Sequence, residues 1–108
     1  MKFKHSNIEG IVVKSDDRYV VKDNTFLKNL VVSSTRLNPQ KSTSGHKHAG
    51  QEEVYMFLEG TGTMELAGVI HKVEAGDTVL IDDGVFHRIH ADNEELYFVC
   101  VFDGGRTV

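Results

Sequence analysis

Residues 45–60 read GHKHAGQEEVYMFLEG, which is a pair of histidines two residues apart followed by acidic residues and an apolar run. In an extended chain the rings of His46 and His48 project from the same face, because successive side chains alternate. Glu53 follows five residues later and opens the apolar segment. Imidazole and carboxylate groups together suit a divalent transition metal. The stretch therefore predicts a candidate metal site beside a strand.

Outward from this stretch, the chain consists of short apolar segments separated by turn residues such as Gly, Asp and Asn. The predicted strands cover residues 11–13, 19–21, 29–37, 45–48, 53–59, 63–66, 69–73, 78–81, 85–90 and 96–102. Two residue pairs, Thr61 with Gly62 and Ala67 with Gly68, are predicted to form successive tight hairpin turns. Many short strands without a helix predict an all-β sandwich or small barrel.

A third histidine that bears on the candidate site, His87, lies in the predicted strand 85–90. Taken singly, each of these residues is more typical of a surface position or of a hydrogen-bonded structural position. Three neutral imidazole nitrogens and one carboxylate would leave coordination positions open, as a catalytic or ligand-binding metal needs. The residues alone therefore leave both interpretations open.

The spacing of these residues resembles the two motifs of the cupin superfamily. The first motif is H-x-H, three or four residues, Glu, six residues and Gly, and it is matched by His46, His48, Glu53 and Gly60. The second motif is matched in register by Gly76, Gly84 and His87. Its usual Pro and Asn are replaced by Asp82 and Ala91, and Gln40 stands where the first motif begins with Gly. The resemblance covers residues 30–102.

This resemblance implies a cupin jelly-roll β-barrel, which is two packed antiparallel sheets. The chain would be one cupin domain over residues 1–108, with N-terminal strands and a loop in 1–28, the barrel core in 29–102 and a tail in 103–108. The metal ligands would be His46, His48, Glu53 and His87, holding one divalent transition metal (Mn, Fe, Ni or Zn). Glu52 is the alternative carboxylate, since the family allows either spacing.

Strand alternation predicts which other side chains face the site. If Glu53 points inward, so do Tyr55 and Phe57, which would line a pocket, and Tyr55 could donate a proton or orient a ligand. Arg36 and Arg106 are candidates for binding an anionic group of the ligand, although both are also ordinary surface cations. The remaining histidines, His5, His71 and His90, are assigned ordinary roles.

The predicted last strand, residues 96–102, is apolar on both faces. One face must line the core, and the other needs cover either from the N-terminal strands or from a second subunit. Because cupins often dimerise, we expect a homodimer.

Composition limits the remaining possibilities. The chain has 108 residues, a formal net charge of −4 and a single cysteine, so it carries neither the basic surface of a nucleic-acid binder nor an internal disulfide. No apolar run is long enough for a membrane span, and the N-terminus lacks the apolar segment of a signal peptide. We therefore expect a cytoplasmic protein whose partner is a small-molecule substrate.

The residues around the two motifs also resemble, over a shorter length, cupin-type sugar and sugar-phosphate isomerases. This likeness implies an isomerase or tautomerase that acts on a sugar, a sugar acid or a similar hydroxy-carbonyl compound, with the metal as Lewis acid. The alternatives are an Fe(II)-dependent dioxygenase, since three His and one Glu suit iron equally well, and a non-catalytic cupin that binds a small molecule.

Overall fold

The computed structural model describes residues 1–47 and 50–104, and this part of the chain folds into nine strands without a helix. The strands are β1 (Ile11–Ser15), β2 (Tyr19–Asn24), β3 (Leu30–Leu37), β4 (Glu53–Glu59), β5 (Thr61–Leu66), β6 (Val69–Glu74), β7 (Thr78–Ile81), β8 (His87–Ala91) and β9 (Leu96–Asp103). They form a six-stranded sheet in the order β1-β2-β3-β9-β4-β7 and a three-stranded sheet in the order β6-β5-β8. All pairings are antiparallel, which confirms the predicted fold class.

Strand alternation builds the core between the two sheets. In β4 the inward residues Glu53, Tyr55 and Phe57 are buried, and the residues between them are half-buried. Phe57 packs against Phe98 of β9, and their ring centroids are 5.4 Å apart. Met64 of β5 and Ile89 of β8 supply the opposite wall, and both are almost fully buried. The apolar residues that recur at every second position in the sequence therefore form the inner face of each sheet.

The segment from Gly60 into β5 does not form the hairpin turn that was predicted at Thr61 and Gly62. That prediction is wrong. Both residues belong to β5, and β4 and β5 lie in different sheets. The chain changes sheets at Gly60, which has φ 88° and whose missing side chain leaves room for the backbone carbonyl of Glu95. A Cβ there would collide with that oxygen, so the turn needs glycine. The hairpin predicted at Ala67 and Gly68 is confirmed, with φ values of 49° and 84°.

A strand was also predicted over residues 45–48. Within the described residues no such strand forms, and His46 instead makes an isolated bridge to His87.

The two departures from the second motif fit their surroundings. Asp82 accepts a hydrogen bond from the Asp83 amide at 2.7 Å in the turn before β8, and Ala91 is fully buried in the core.

The outer face of β9 is covered by the N-terminal segment of the same chain. Ile8 packs with Tyr97 and Val99 in a second apolar cluster, which Phe3 joins at its edge. The Tyr97 hydroxyl donates to the His5 carbonyl at 2.6 Å. Of the two covers expected from the sequence, the structure therefore shows the one supplied by the N-terminal part of the chain. The covering residues precede β1.

No helix in residues 1–47 and 50–104 has the length and apolarity to cross a membrane.

Candidate metal centre and its cavity

Three of the four predicted metal ligands lie together between the sheets. Glu53 is the first residue of β4 and His87 is the first residue of β8. His46 precedes β4, and reciprocal backbone hydrogen bonds of 3.0 Å join it to His87. This bridge fixes the side chain of His46 beside that of His87, with the ring centroids 4.3 Å apart and nearly perpendicular. A backbone pairing that the sequence did not reveal thus brings two of the histidines together.

The donor atoms of these three residues are close enough to share one ion. Their candidate ligand atoms all lie within 4.8 Å of one another. Glu53 Oε2 is 3.1 Å from His87 Nε2 and 4.0 Å from His46 Nε2. Two imidazoles and a carboxylate form a donor set that fits Mn, Fe, Ni or Zn. His48 lies outside the described residues, so the structure assigns it no place.

The cluster has a buried side and a solvent-exposed side. The side chains of His87 and Glu53 are 2% and 5% exposed, whereas that of His46 is 44% exposed. A buried carboxylate is costly without a charged or hydrogen-bonded partner, and here the partner is His87. The open side at His46 is where a ligand can approach.

The second ring nitrogen of His87 fixes its orientation. His87 Nδ1 lies 3.1 Å from the Val85 carbonyl, and this oxygen can only accept, so Nδ1 carries the proton. Nε2 is therefore the nitrogen aimed at Glu53 and available to a metal, which is the arrangement that orients histidine ligands in metalloproteins. Burial alone lowers the pKa of His87, but the hydrogen bonds to Glu53 and to Val85 outweigh it and raise the pKa.

Tyr55 stands directly beside the cluster. Its hydroxyl is 3.4 Å from His87 Nε2, and its ring lies edge-on to the His87 ring. Burial, with the nearby Cys100 and Glu53, raises the pKa of Tyr55 well above its ordinary value. The hydroxyl therefore keeps its proton near neutral pH and can only act as a hydrogen-bond or proton donor to an anionic ligand.

These groups open into a cavity of about 240 Å³ between the sheets. This volume lies below the range of about 300–1,000 Å³ that is usual for ligand pockets, which indicates a small ligand. Apolar residues of both sheets line it, among them Val21, Ile89 and Phe98. The polar side chains of the lining come from several elements: Asp23, Ser33, Thr35, Thr43, Ser44, Gln51 and Tyr55. Among the described residues, Lys14 is the one Lys or Arg in the lining.

A row of polar side chains crosses the floor of this cavity. Asp23, Ser33, Cys100 and Tyr55 are direct cross-strand partners on β2, β3, β9 and β4. The Ser33 hydroxyl donates to Asp23 Oδ1 at 2.6 Å. The Cys100 thiol is hydrogen-bonded with both Ser33 and Tyr55, and burial together with the Glu53 charge raises its pKa to about 12. The row extends from the metal cluster toward β1 at the sheet edge.

The other predicted site residues lie in different places. Phe57 is fully buried in the core next to the cavity, and it is absent from the described lining. Arg36 lies on the outer face, where its guanidinium sits 4.1 Å over the Tyr97 ring and 2.9 Å from Glu95. The structure therefore does not bring Arg36 to the cavity. Arg106 lies outside the described residues. The alternative carboxylate, Glu52, is exposed on the opposite face from Glu53.

The other three histidines stand apart from the cluster. His90 is hydrogen-bonded to the Ser42 hydroxyl at 2.6 Å, and His5 and His71 are exposed. Sequence reasoning missed Gln51 and Ser33 in the lining. A signal existed for both, since Gln51 precedes Glu53 by two residues and Ser33 begins a polar run, Ser33 to Arg36, inside a predicted strand. Neither signal identifies a site without the strand pairing.

Comparison with known proteins agrees with this geometry. A family model for the cupin domain matches residues 33–102, which includes all four predicted ligands. The chain belongs to the cupin family. The fold and the candidate metal centre are therefore those expected from the two motifs, and the nine strands in the described part of this cupin form the double-stranded β-helix of the family.

Two relatives resemble the sequence of this cupin. An oxalate-binding protein of Thermotoga maritima is 36% identical over 67 residues, which is 61% of this chain and 55% of the relative. The match thus spans only about half the length of that protein. An uncharacterized protein of Methanocaldococcus jannaschii is 30% identical over 94 residues, which is 76% of this chain and 75% of the relative. A solved structure, a predicted oxalate decarboxylase of Thermotoga maritima, superposes with a TM-score of 0.75 at 26% identity, covering 95% and 98% of the chains.

Proposed function

We propose that this cupin is a metal-dependent isomerase or tautomerase that acts on a small hydroxy-carbonyl compound, such as a sugar acid. The observation that carries the proposal is the cluster of His46, Glu53 and His87 at a small cavity, with the protonated Tyr55 hydroxyl beside it. With His48 as the fourth ligand, the set would hold one divalent ion. When bound, such an ion supplies Lewis-acid polarisation of a ligand carbonyl.

The chain's own residues supply the proton chemistry in this proposal. The Tyr55 hydroxyl lies 3.4 Å from His87 Nε2, the nitrogen that also faces Glu53. With Nε2 committed to an ion, the Tyr55 hydroxyl would be placed to donate to a ligand oxygen in the cavity. Its raised pKa keeps it protonated, so it can hold or deliver a proton to an anionic oxygen.

The cavity lining supports a polar ligand of limited size. The hydroxyls of Ser33, Thr35, Thr43 and Ser44 can exchange hydrogen bonds with ligand hydroxyls. Lys14 can attract a carboxylate at the β1 side of the cavity. A compound with several hydroxyls and one acidic group therefore matches the lining better than an apolar compound does.

The test is turnover of a panel of hydroxy-ketones, aldoses and sugar acids by the metal-loaded protein, followed by proton–deuterium exchange in NMR spectra. Exchange at a carbon next to the carbonyl is expected, because isomerisation and tautomerisation both move that proton. The variant Tyr55→Phe should keep the metal and lose most of the exchange. Metal-loaded protein that exchanges no proton across the panel would contradict the proposed reaction. Oxygen consumption in the iron-loaded sample would indicate a dioxygenase instead.

A second candidate is non-catalytic binding of a small dicarboxylate. The observation that favours it is the 36% identical relative, which is an oxalate-binding protein. A small anion of this kind would also fit the modest cavity. Calorimetry with oxalate and metal-loaded protein tests it, and a stable complex with no product over hours would favour binding over catalysis.

We also propose that the protein works as a homodimer. Its cytoplasmic location stays an expectation. Cover for β9 no longer argues for a dimer, because the N-terminal segment supplies it. The remaining support is β1, an edge strand whose apolar residues Ile11, Val12 and Val13 are all exposed. Sedimentation velocity at micromolar concentration should show about twice the monomer mass, and a single monomeric species would exclude the dimer.

A further inference from the structure

Gln51 is a buried polar residue that the proposed chemistry does not use. It lies two residues before Glu53, its side chain is 4% exposed, and it lines the same cavity as the metal cluster. Its Nε2 donates to the Asp103 backbone carbonyl at 2.8 Å, at the end of β9. One half of the amide is therefore held by the protein.

The other half of this amide has no partner. Gln51 Oε1 is buried and makes no hydrogen bond within the described part of the chain, and it is the one such buried side-chain atom there. Flipping the amide would not help, because Oε1 would then face the Asp103 carbonyl, which is also an acceptor. Buried acceptors are rarely left without a donor, so each exception calls for an explanation.

The position of Gln51 indicates where a donor can come from. Oε1 is shielded from bulk water, whereas the side chain forms part of the cavity wall next to Glu53. The last torsion of a glutamine side chain is soft, so the amide can reorient when a ligand occupies the cavity. A hydroxyl or N–H group of a ligand held beside the cluster can then donate to Oε1.

We propose that Gln51 is a specificity-determining residue that accepts a hydrogen bond from a hydroxyl of the bound ligand. It thereby selects hydroxy acids and hydroxy-carbonyl compounds over dicarboxylate anions such as oxalate, which have acceptors but no hydrogen to donate. The inference rests on the proposed function, because it names the ligand class of the same site. It also separates the two candidates above, since only a hydroxylated ligand satisfies Gln51.

The experiment measures how glycolate and oxalate bind to the protein loaded with one equivalent of metal. Glycolate carries a hydroxyl group where oxalate carries a second carboxylate. Titration calorimetry gives both dissociation constants for the wild type and for Gln51→Met, which has a similar shape but no amide. The expected result is a rise of about tenfold in the dissociation constant for glycolate, as for one lost hydrogen bond to a buried group, with oxalate changed less than twofold.

Two controls keep the comparison specific. Glu52→Met introduces the same side chain at the neighbouring exposed position and should change neither constant. Metal content and melting temperature of Gln51→Met show whether the fold and the metal centre remain intact. A merely structural role of Gln51, for example through its bond to Asp103, would weaken both ligands by the same factor.

Equal weakening of glycolate and oxalate in Gln51→Met, or no change in either, would overturn the inference. A wild type that binds neither ligand would overturn it as well. A selective loss of glycolate binding in a protein that shows no proton exchange with any substrate would support the role of Gln51 and contradict the isomerase. The two failures are therefore distinguishable.

Discussion

At the residue scale, His87 is the side chain on which the proposed metal centre depends most. It is almost fully buried, its Nδ1 is committed to the Val85 carbonyl, and its Nε2 faces Glu53. The sequence identified it only by its register with Gly76 and Gly84 in the second motif. Its hydrogen-bond partner could not be predicted, because a backbone carbonyl has no sequence signature. The assignment of His46, His48, Glu53 and His87 as metal ligands stays a proposal.

Replacing His87 by Gln should change how the stability of the metal-free protein depends on pH. The pKa of His87 is raised in the folded state, so the stabilisation from its charged form is present below about pH 6.5, the unfolded value. It is lost as the pH rises through the higher folded pKa. Urea unfolding from pH 5.5 to 8.5 should therefore show the wild-type advantage over His87→Gln shrinking as the pH rises, and a growing advantage would have the wrong sign.

The Cys100 thiol should not react in the folded protein. Burial, with the Glu53 charge, raises its pKa to about 12, so almost no thiolate is present at pH 8. A colorimetric thiol reagent is expected to modify less than a tenth of the protein within an hour, and all of it in denaturant. Rapid modification without denaturant would mean that this part of the cavity opens readily.

At the element scale, most strands could be predicted and their assignment to sheets could not. The predicted bounds of β4 and β7 equal the observed ones, because their continuous apolar runs end at clear turn residues. The turn at Gly60 was misread, since glycine supplies positive φ equally in a hairpin and where the chain changes sheets. The bridge between His46 and His87 is a long-range pairing, which the local pattern of either segment cannot indicate.

The N-terminal segment is expected to contribute to stability through Ile8. This side chain is 1% exposed against Tyr97 and Val99, so Ile8→Ala should lower the free energy of unfolding by about 2–4 kcal/mol. The matched control is Ile70→Ala, where the side chain is 62% exposed and the change should stay within about 0.5 kcal/mol. Equal effects of the two substitutions in urea titrations would show that the segment does not cover β9 in solution.

At the scale of the whole molecule, the two sheets enclose the cluster of His46, Glu53 and His87, and a cavity of about 240 Å³ lies beside it. The two motifs predicted the barrel and the cluster, because their spacing reflects that fold. The cavity's polar row and Gln51 depend on the register of four strands, which single-sequence patterns do not encode.

Metal binding should stabilise the entire fold, because an ion that binds only the folded state shifts the unfolding equilibrium. An excess of about 100 times the dissociation constant adds about 2.7 kcal/mol. The melting temperature should therefore rise by several degrees when metal is added and fall back with a chelator. The variant His87→Ala should not respond, and an equal rise in that variant would place the ion elsewhere.

The central claim is that His46, Glu53 and His87, with His48, hold one divalent transition metal in this cupin. The most direct measurement is elemental analysis of protein purified without added metal or chelator, performed in parallel on His87→Ala. We expect about one equivalent of Mn, Fe, Ni or Zn per chain in the wild type and a loss of most of it in the variant. A folded wild type without stoichiometric metal, which also takes up none on dialysis, would contradict the account.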